Sequence, residues 1–192
     1  MKKEENISLK QKEIRITTGT AKNKRLKAPD IEGFRAVQEI AKSSLFSILG
    51  EKINNAMCLD LYAGSGNLGI EALSRGAEWC DFVDDNYEST KVIEENLVNC
   101  GFVERAEFTR KDVLKFIVNA PRNYDVVFID PFYKDITHKY LVSNLESVLN
   151  EDGIIVFFHG DNLNLEDLIT DTNLRIVDER KFGKSYFTLL TL

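Results

Sequence analysis

The sequence predicts an α/β fold built on one doubly wound sheet, and three observations support this. Apolar runs of strand length alternate with helical patterns over residues 57–169. A glycine-rich turn joins the first of these strands to its helix. Finally, Gly183-Lys184 alone separates the last two strands, which is too short for a crossover connection. We therefore predict a seven-stranded sheet that closes with an antiparallel hairpin.

The sheet domain is predicted over residues 51–192. Its strands are expected at residues 57–62, 79–84, 106–109, 124–130, 153–158, 174–182 and 185–190. Its helices are expected at residues 67–75, 86–99, 113–119, 139–149 and 163–169. The run Val126-Val127-Phe128-Ile129 is apolar at every position, as expected of a strand that is covered on both faces.

A small extension is predicted to precede the sheet. Residues 1–12 are polar and charged, which predicts a disordered tail. Residues 13–18 alternate as a half-buried strand does, and the basic stretch 22–27 is expected to return beside it. Apolar positions at helical spacing then predict a helix over residues 35–49. Residues 13–50 should thus form a β-ribbon and a helix.

Composition limits the class of protein. The chain has 192 residues, of which 43% are hydrophobic and 29% charged, as in a globular domain. No apolar run reaches the length of a membrane span, and the first residues lack the apolar core of a secretory signal. Three cysteines in apolar surroundings (Cys58, Cys80 and Cys100) are expected to stay reduced in the core. We expect a cytoplasmic monomer without a metal site.

The charge is unevenly distributed. Residues 1–30 contain nine Lys or Arg against four Asp or Glu, whereas the whole chain carries a net charge of −6. A basic arm on an acidic body is typical of a protein that meets a polyanion at one end. A solvated lysine-rich tail is the alternative interpretation.

The glycine-rich turn predicts a nucleotide-type ligand. Residues 64–69 match the dinucleotide pattern G-x-G-x-x-G, but this pattern alone is weak. Asp60, near the end of the preceding strand, would repel a pyrophosphate and suits a ligand with a cationic end. S-adenosylmethionine (SAM) is such a ligand, because it carries an ammonium and a sulfonium but no phosphate. An NAD-dependent oxidoreductase remains the disfavoured alternative.

Two later strand ends carry further candidate ligand contacts. Asp84 follows Gly64 by 20 positions and is placed to reach ribose hydroxyls, with Asp85 as a competitor for that role. Asp112, followed by Val113, could bond the adenine amino group, cap the next helix, or do both.

The run Asp130-Pro131-Phe132-Tyr133 suits chemistry on the exocyclic amine of a nucleobase. Such an amine is a poor nucleophile, since its lone pair is delocalised into the ring. A carboxylate and a fixed backbone carbonyl can accept its two hydrogens and favour a pyramidal nitrogen. Pro131 restricts the backbone, and Tyr133 offers a face on which a flipped base can stack. Catalysis would then rest on positioning and electrostatics.

From about Ile14 to its end, the chain resembles the bacterial 16S ribosomal RNA guanine-N2 methyltransferase family (the RsmD type). These are class I SAM-dependent methyltransferases with a Rossmann-like sheet. The resemblance is carried by residues 16–29, 45–49, 59–66 and 68–77, by Asn96-Leu97, by Asp112, by the run 130–133 and by Phe182-Gly183-Lys184. It covers nearly the whole chain, and Leu68-Gly69-Ile70-Glu71-Ala72-Leu73-Ser74-Arg75-Gly76-Ala77 is its most specific segment.

The resemblance implies a role for three groups of residues. The cofactor-binding residues would be Asp60, Tyr62, Ala63, Gly64, Ser65, Gly66, Asp84, Asp112 and Val113. The catalytic residues around the target guanine would be Asp130, Pro131, Phe132 and Tyr133. The residues that bind ribosomal RNA of the small subunit would be Arg15, Lys22, Lys24, Arg25, Lys27 and Arg35.

This chain departs from the family pattern at three places. Phe132 replaces the second proline of Asp-Pro-Pro-Tyr, and Ala36-Val37 follows Arg35 where the family has Arg-Pro-Thr. The strand that ends at Phe158 lacks the acid that the family often places there. Two alternatives therefore stay open: a methyltransferase that acts on another base amine such as adenine N6, and a non-catalytic relative that binds ribosomal RNA.

Overall fold

The computed structural model describes residues 14–131 and 138–192. The strands are β1 (Ile14–Arg15), β2 (Arg25–Leu26), β3 (Met57–Leu61), β4 (Trp79–Asp84), β5 (Ala106–Arg110), β6 (Tyr124–Ile129), β7 (Leu149–Gly160), β8 (Arg175–Phe182) and β9 (Ser185–Thr191). The α-helices are α1 (Glu39–Leu49), α2 (Asn67–Ser74), α3 (Tyr87–Cys100), α4 (Val113–Ile117), α5 (His138–Leu145) and α6 (Leu165–Ile169).

The main sheet has seven strands in the order β5-β4-β3-β6-β7-β9-β8. Strands β3 to β7 pair in parallel, whereas β9 pairs antiparallel with both β7 and β8. This confirms the predicted doubly wound sheet and its closing hairpin. The strand order reverses between β3 and β6, and in such sheets the ligand crevice lies outside the carboxyl ends of the strands at that point.

Two apolar layers cover the sheet. One face packs against α1, α2 and α3 together with the amino-terminal ribbon, and the other against α4, α5 and α6. The central strand β6 contributes to both layers, since Val126 and Phe128 face the first while Val127 and Ile129 face the second. Its continuous apolar run is thus buried on both faces, as predicted. The three cysteines are buried and form no disulfide.

The amino-terminal segment docks on α2. Strands β1 and β2 pair antiparallel over only two residues each, so the ribbon is shorter than predicted. Between them, the Gly19 turn lies against Ser74, whose backbone oxygen would be 1.8 Å from a Cβ at Gly19. The Ser74 hydroxyl donates to the Thr18 carbonyl at 2.6 Å and accepts from the Ala21 N–H at 3.0 Å. The ribbon and the sheet therefore share one apolar core. The predicted tail, residues 1–12, lies outside the described residues.

Several element boundaries differ from the prediction. The first long helix begins at Glu39 rather than Arg35, because the chain is extended at Gln38 and lies against the sheet before the helix starts. The fifth strand of the sheet begins at Leu149 rather than at residue 153, and it shifts register against β6 between Tyr124 and Val126. Over the described ranges, each helix is too short or too polar to span a lipid bilayer.

Candidate active site

A cleft of about 130 Å³ opens at the carboxyl ends of β3 and β6, where the strand order reverses. Its walls include the segment before α1, the glycine-rich loop, the end of β6 and the β8–β9 hairpin. Among the predicted site residues, its lining includes Arg35, Asp60, Tyr62, Ala63, Gly64, Asp130 and Pro131. The structure thus brings the predicted cofactor loop and the predicted catalytic carboxylate to one cavity.

The glycine-rich loop turns sharply after β3. Gly64 and Gly66 have φ values of 55° and 74°, a region that glycine enters without steric cost. Tyr62 also has a positive φ, 57°, which is uncommon for a residue with a side chain and is often found at functional sites. The Gly66 N–H donates to the Ala63 carbonyl at 2.7 Å and closes the turn. The backbone therefore comes close to the cavity before α2 begins.

Asp60 holds this loop to α2. Its carboxylate accepts the Gly69 N–H at 2.8 Å, and the residue is only 2% exposed. Burial raises the pKa of Asp60 well above its usual range, and the nearby Asp130 and Asp84 carboxylates raise it further. The hydrogen bond from Gly69 acts in the opposite direction and lowers this pKa. A cation in the cleft would stabilise the ionised form of Asp60. The observed environment thus fits the predicted cationic ligand.

Asp84 supports the same loop from the neighbouring strand. Its carboxylate oxygens accept the N–H groups of Gly64 and Asn86, each at 2.9 Å. Burial nevertheless raises the pKa of Asp84. Ser89, which lines the cleft, lies beside this carboxylate, yet its buried hydroxyl makes no hydrogen bond of good geometry in the described part of the chain. A hydroxyl-bearing ligand could satisfy that group, which fits the predicted ribose contact.

Asp130 follows β6 directly and is partly buried. Burial raises the pKa of its carboxyl group to about 7, while the positive charge of Arg35 lowers it. The carboxyl group therefore titrates near neutral pH. Pro131, next in the chain, is buried and also lines the cleft. Phe132 and Tyr133 lie outside the described residues, so their part in the site stays a prediction.

The segment 31–38 forms one wall of the cleft, and of its residues only Arg35 was predicted to belong to the site, as an RNA contact. Phe34 packs on the glycine-rich loop so closely that a Cβ at Gly64 would lie 2.7 Å from its ring. The Asn67 side chain donates to the Val37 carbonyl at 3.2 Å and fixes the segment to α2. Because the apolar residues have helical spacing, the helix was predicted to begin at residue 35, within this wall, whereas it begins at Glu39. Gly33 was the available signal for an irregular segment.

A buried ion pair below this wall was also missed. Lys42 of α1 and Glu71 of α2 are 1% and 0% exposed, and their charged groups lie 2.9 Å apart. Lys42 also donates to the Arg15 carbonyl at 2.7 Å and to the Asn67 side chain at 2.6 Å. Burial lowers the pKa of Lys42, and the negative charge of Glu71 partly offsets this effect. Burial alone would raise the pKa of Glu71, but Lys42 and the hydrogen bonds from Thr17 lower it below its usual value. The charged pair thus joins the ribbon, α1 and α2.

The remaining predicted cofactor residues lie outside the cleft lining. Ser65 is buried, and its carbonyl accepts the Asn96 side chain at 2.9 Å. Asp112 caps α4 by accepting the Lys115 N–H at 3.0 Å, and Val113 packs in the apolar layer behind it. The cap that the sequence suggested for Asp112 is therefore present, while its contact with adenine stays a prediction.

The predicted RNA-binding residues are all exposed. Several of them also contact the protein itself. Arg15 forms an ion pair with Glu39 at 2.8 Å, Lys27 pairs with Glu95 at 2.7 Å, and Lys24 donates to the Asn99 carbonyl. Arg15 and Arg25 also lie opposite each other across the ribbon.

Comparison with known proteins supports one family. The family described as conserved hypothetical protein 95 matches residues 14–191. “Putative rRNA methyltransferase YlbH” of Bacillus subtilis is 33% identical over 163 residues, covering 82% of this chain and 89% of the relative. “Ribosomal RNA small subunit methyltransferase D” of Haemophilus influenzae is 31% identical over 179 residues, covering 89% and 90%.

A solved structure agrees with these relatives. “Putative methyltransferase yhhF from Escherichia coli” has a TM-score of 0.81 and 26% identity, covering 93% of this chain and 97% of that chain. The matched region includes the amino-terminal ribbon, the glycine-rich loop and the closing hairpin. The chain therefore belongs to the RsmD-type family of SAM-dependent ribosomal RNA methyltransferases.

Proposed function

We propose that this protein transfers a methyl group from SAM to the exocyclic N2 amine of a guanine in small-subunit (16S) ribosomal RNA. The methyl donor supplies an electrophilic methyl group on a sulfonium. The chain's own residues would bind this donor, hold the base and receive the proton that the amine loses.

The observation that carries the proposal is a group of three desolvated carboxylates around one glycine-rich loop. Asp60, Asp84 and Asp130 end neighbouring strands, and burial raises the pKa of each. Of the three, Asp130 has a charged partner, Arg35. Such a site favours a ligand that brings positive charge and hydroxyl groups and disfavours a phosphate. SAM meets these requirements, whereas the pyrophosphate of NAD does not.

Asp130 is proposed to act on the target base. In the proposed reaction its carboxylate accepts one hydrogen of the guanine amine, and the carbonyl of Pro131 accepts the other. The nitrogen then attacks the methyl carbon as the sulfonium–carbon bond breaks, and the released proton passes to the Asp130 carboxylate. This role needs the ionised carboxylate, because charge-assisted hydrogen bonds are the stronger ones. Tyr133 is proposed to stack on the base.

The exposed cations of the ribbon are proposed to bind RNA phosphates. Arg15 and Arg25 lie opposite each other across the ribbon and are both exposed, so they present two positive charges on one surface. Lys22 and Lys24 extend the same exposed surface. Affinity for RNA should therefore fall as the salt concentration rises.

The test is methyl transfer from labelled SAM to small ribosomal subunits that lack this modification. We expect label in N2-methylguanosine with the unsubstituted protein, and its loss in Asp130→Asn. The matched control is Asp152→Asn, which removes the same charge from an exposed position near the opposite end of the sheet. SAM should still bind measurably to both variants in calorimetry, because Asp60 and Asp84 remain in Asp130→Asn and all three carboxylates remain in Asp152→Asn.

Other outcomes would replace the proposal. Label in N6-methyladenosine would keep the fold and the reaction type but change the substrate. SAM binding without transfer to the subunits or to free ribosomal RNA would favour a non-catalytic RNA-binding relative. A cytoplasmic location and a monomeric state remain expectations.

A further inference from the structure

Resting on the proposed function, we propose that the β8–β9 hairpin carries a second RNA contact. Lys181 and Tyr186 would bind the nucleotide that adjoins the target base, Lys181 at its phosphate and Tyr186 at its base. This subsite borders the cleft on the side away from the glycine-rich loop.

Three side chains form a row across the end of the sheet. Tyr186 of β9 pairs with His159 of β7 and, on its other side, with Lys181 of β8. Directly paired residues place their side chains on the same face of a sheet. The rings of Tyr186 and His159 are stacked, with centroids 5.3 Å apart and planes 9° apart. The ammonium of Lys181 lies 5.0 Å from the centroid of the Tyr186 ring.

The His159 end of this row is fixed. His159 is 4% exposed and donates from Nδ1 to the Gly160 carbonyl at 2.9 Å. Its Nε2 lies 2.9 Å from the Thr188 hydroxyl, which in turn donates to Glu179 at 2.8 Å. Because the imidazole is held by these contacts, the stacked Tyr186 ring rests on a rigid support. Stacking platforms for bases in RNA-binding proteins need such fixed aromatic rings.

The Lys181 end of the row is exposed to solvent. Its ammonium contacts the Tyr186 ring, and the exposed Asp161 is a nearby carboxylate. The adjacent Arg180 already pairs with Asp178 at 3.0 Å. The Lys181 ammonium could therefore leave the Tyr186 ring and bind a phosphate instead. This movement would expose the ring, so that a base could stack on it. An exposed cation beside an aromatic ring is the combination that single-stranded RNA sites use.

The position of the row explains which nucleotide it would meet. Phe182, Ser185 and Tyr186 all belong to the wall of the cleft that contains Asp130. A base flipped towards Asp130 leaves its neighbour in the RNA chain at the rim of that cleft. The amino-terminal ribbon packs on the layer of α1, α2 and α3, so the hairpin would supply a separate contact at the rim.

The test compares RNA binding by Lys181→Gln, Tyr186→Phe and Tyr186→Leu with that of the unsubstituted protein. The probe is unmodified 16S ribosomal RNA in a filter-binding assay over a range of salt concentrations. We expect Lys181→Gln to reduce the slope of log affinity against log salt by about 0.7, the loss of one phosphate contact. Tyr186→Leu should weaken binding about tenfold by removing the stacking ring, whereas Tyr186→Phe should bind nearly as the unsubstituted protein does.

The matched control is Arg175→Gln, which removes one exposed positive charge at the other end of the same strand, about 20 Å away. SAM affinity should stay unchanged in Lys181→Gln and Arg175→Gln, whose side chains lie outside the cleft lining, and the free energy of unfolding should stay unchanged in the Tyr186 variants; these controls separate an RNA effect from a folding defect. An unchanged salt slope in Lys181→Gln, or an equal reduction of the salt slope in Arg175→Gln, would overturn this inference. Methyl transfer by the unsubstituted protein would still support the proposed function in that case. If the unsubstituted protein neither binds nor methylates the RNA, both fail.

Discussion

The pH dependence of methyl transfer should report the environment of Asp130. Because burial raises its pKa to about 7, the carboxyl group is protonated below that pH and ionised above it. The proposed reaction needs the ionised form, so kcat/KM for SAM should rise with pH. Between pH 8 and pH 6 the ionised fraction falls about tenfold, and the rate constant should fall with it. An ordinary exposed aspartate would stay ionised throughout this range.

Substitution of Arg35 should change the pKa of Asp130 directly. Its positive charge lowers the pKa of Asp130, so Arg35→Gln should move the midpoint of the pH profile to higher pH. Arg35→Lys keeps the charge and is the matched control, with a midpoint close to that of the unsubstituted protein. The assay is the initial rate of methyl transfer at low SAM and saturating RNA from pH 5.5 to 8.5. Under these conditions kcat/KM reports groups of the protein before SAM binds.

Two results would refute this reasoning. A midpoint below about pH 5 in the unsubstituted protein would mean that Asp130 behaves as an ordinary exposed carboxylate. An unshifted midpoint in Arg35→Gln, with a smaller salt slope for RNA binding, would mean that Arg35 acts on phosphates rather than on Asp130. The second outcome would support the role that the resemblance implied for Arg35.

Three further outcomes are expected. Gly64→Ala should lower SAM affinity at least tenfold in calorimetry, because the new Cβ would crowd the Phe34 ring at a φ of 55°. Lys42→Met should lower the free energy of unfolding by about 2 kcal/mol in urea titrations, because the buried Glu71 carboxylate loses Lys42 and keeps Arg75 at 2.8 Å; an unchanged value would contradict the buried pair. Lys22→Gln should weaken RNA binding and reduce its salt slope by about 0.7, and equal loss at all salt concentrations would argue against a phosphate contact.

Much of the sheet could be predicted because its signals are local. The apolar run of β6 and the two-residue spacing before β9 each restrict the backbone within a few residues. The two ends of α3 are also set by local contacts. Asn86 accepts the Glu88 N–H at 2.8 Å at its start, and Gly101 ends the helix at a φ of 79°. Such local rules place the strand ends, which bring Asp60 and Asp130 to one cleft and Asp84 to the glycine-rich loop beside it.

The missed features depend on contacts between distant residues. Residues 35–38 have helical spacing, but the cleft wall holds them in an extended path through Asn67, about thirty positions later. No local pattern around Lys42 marks it as buried, and only the packing of α1 on α2 brings it to Glu71. Similarly, the row that ends at Lys181 exists only because three strands pair in one register.

The buried pair of Lys42 and Glu71 has a consequence for dissecting the molecule. Glu71 accepts hydrogen bonds from the Thr17 and Thr18 N–H groups, so these partners, like Lys42, precede residue 50, whereas Glu71 belongs to the sheet domain. A truncated protein that begins at residue 51 would keep this buried carboxylate and its ion pair with Arg75 but would lose Lys42 and the ribbon. We therefore expect the sheet to be a poor autonomous unit. In the proposed complex, the same bonds would hold RNA on the ribbon at a constant distance from the methyl donor, so that the extension would act as a molecular ruler.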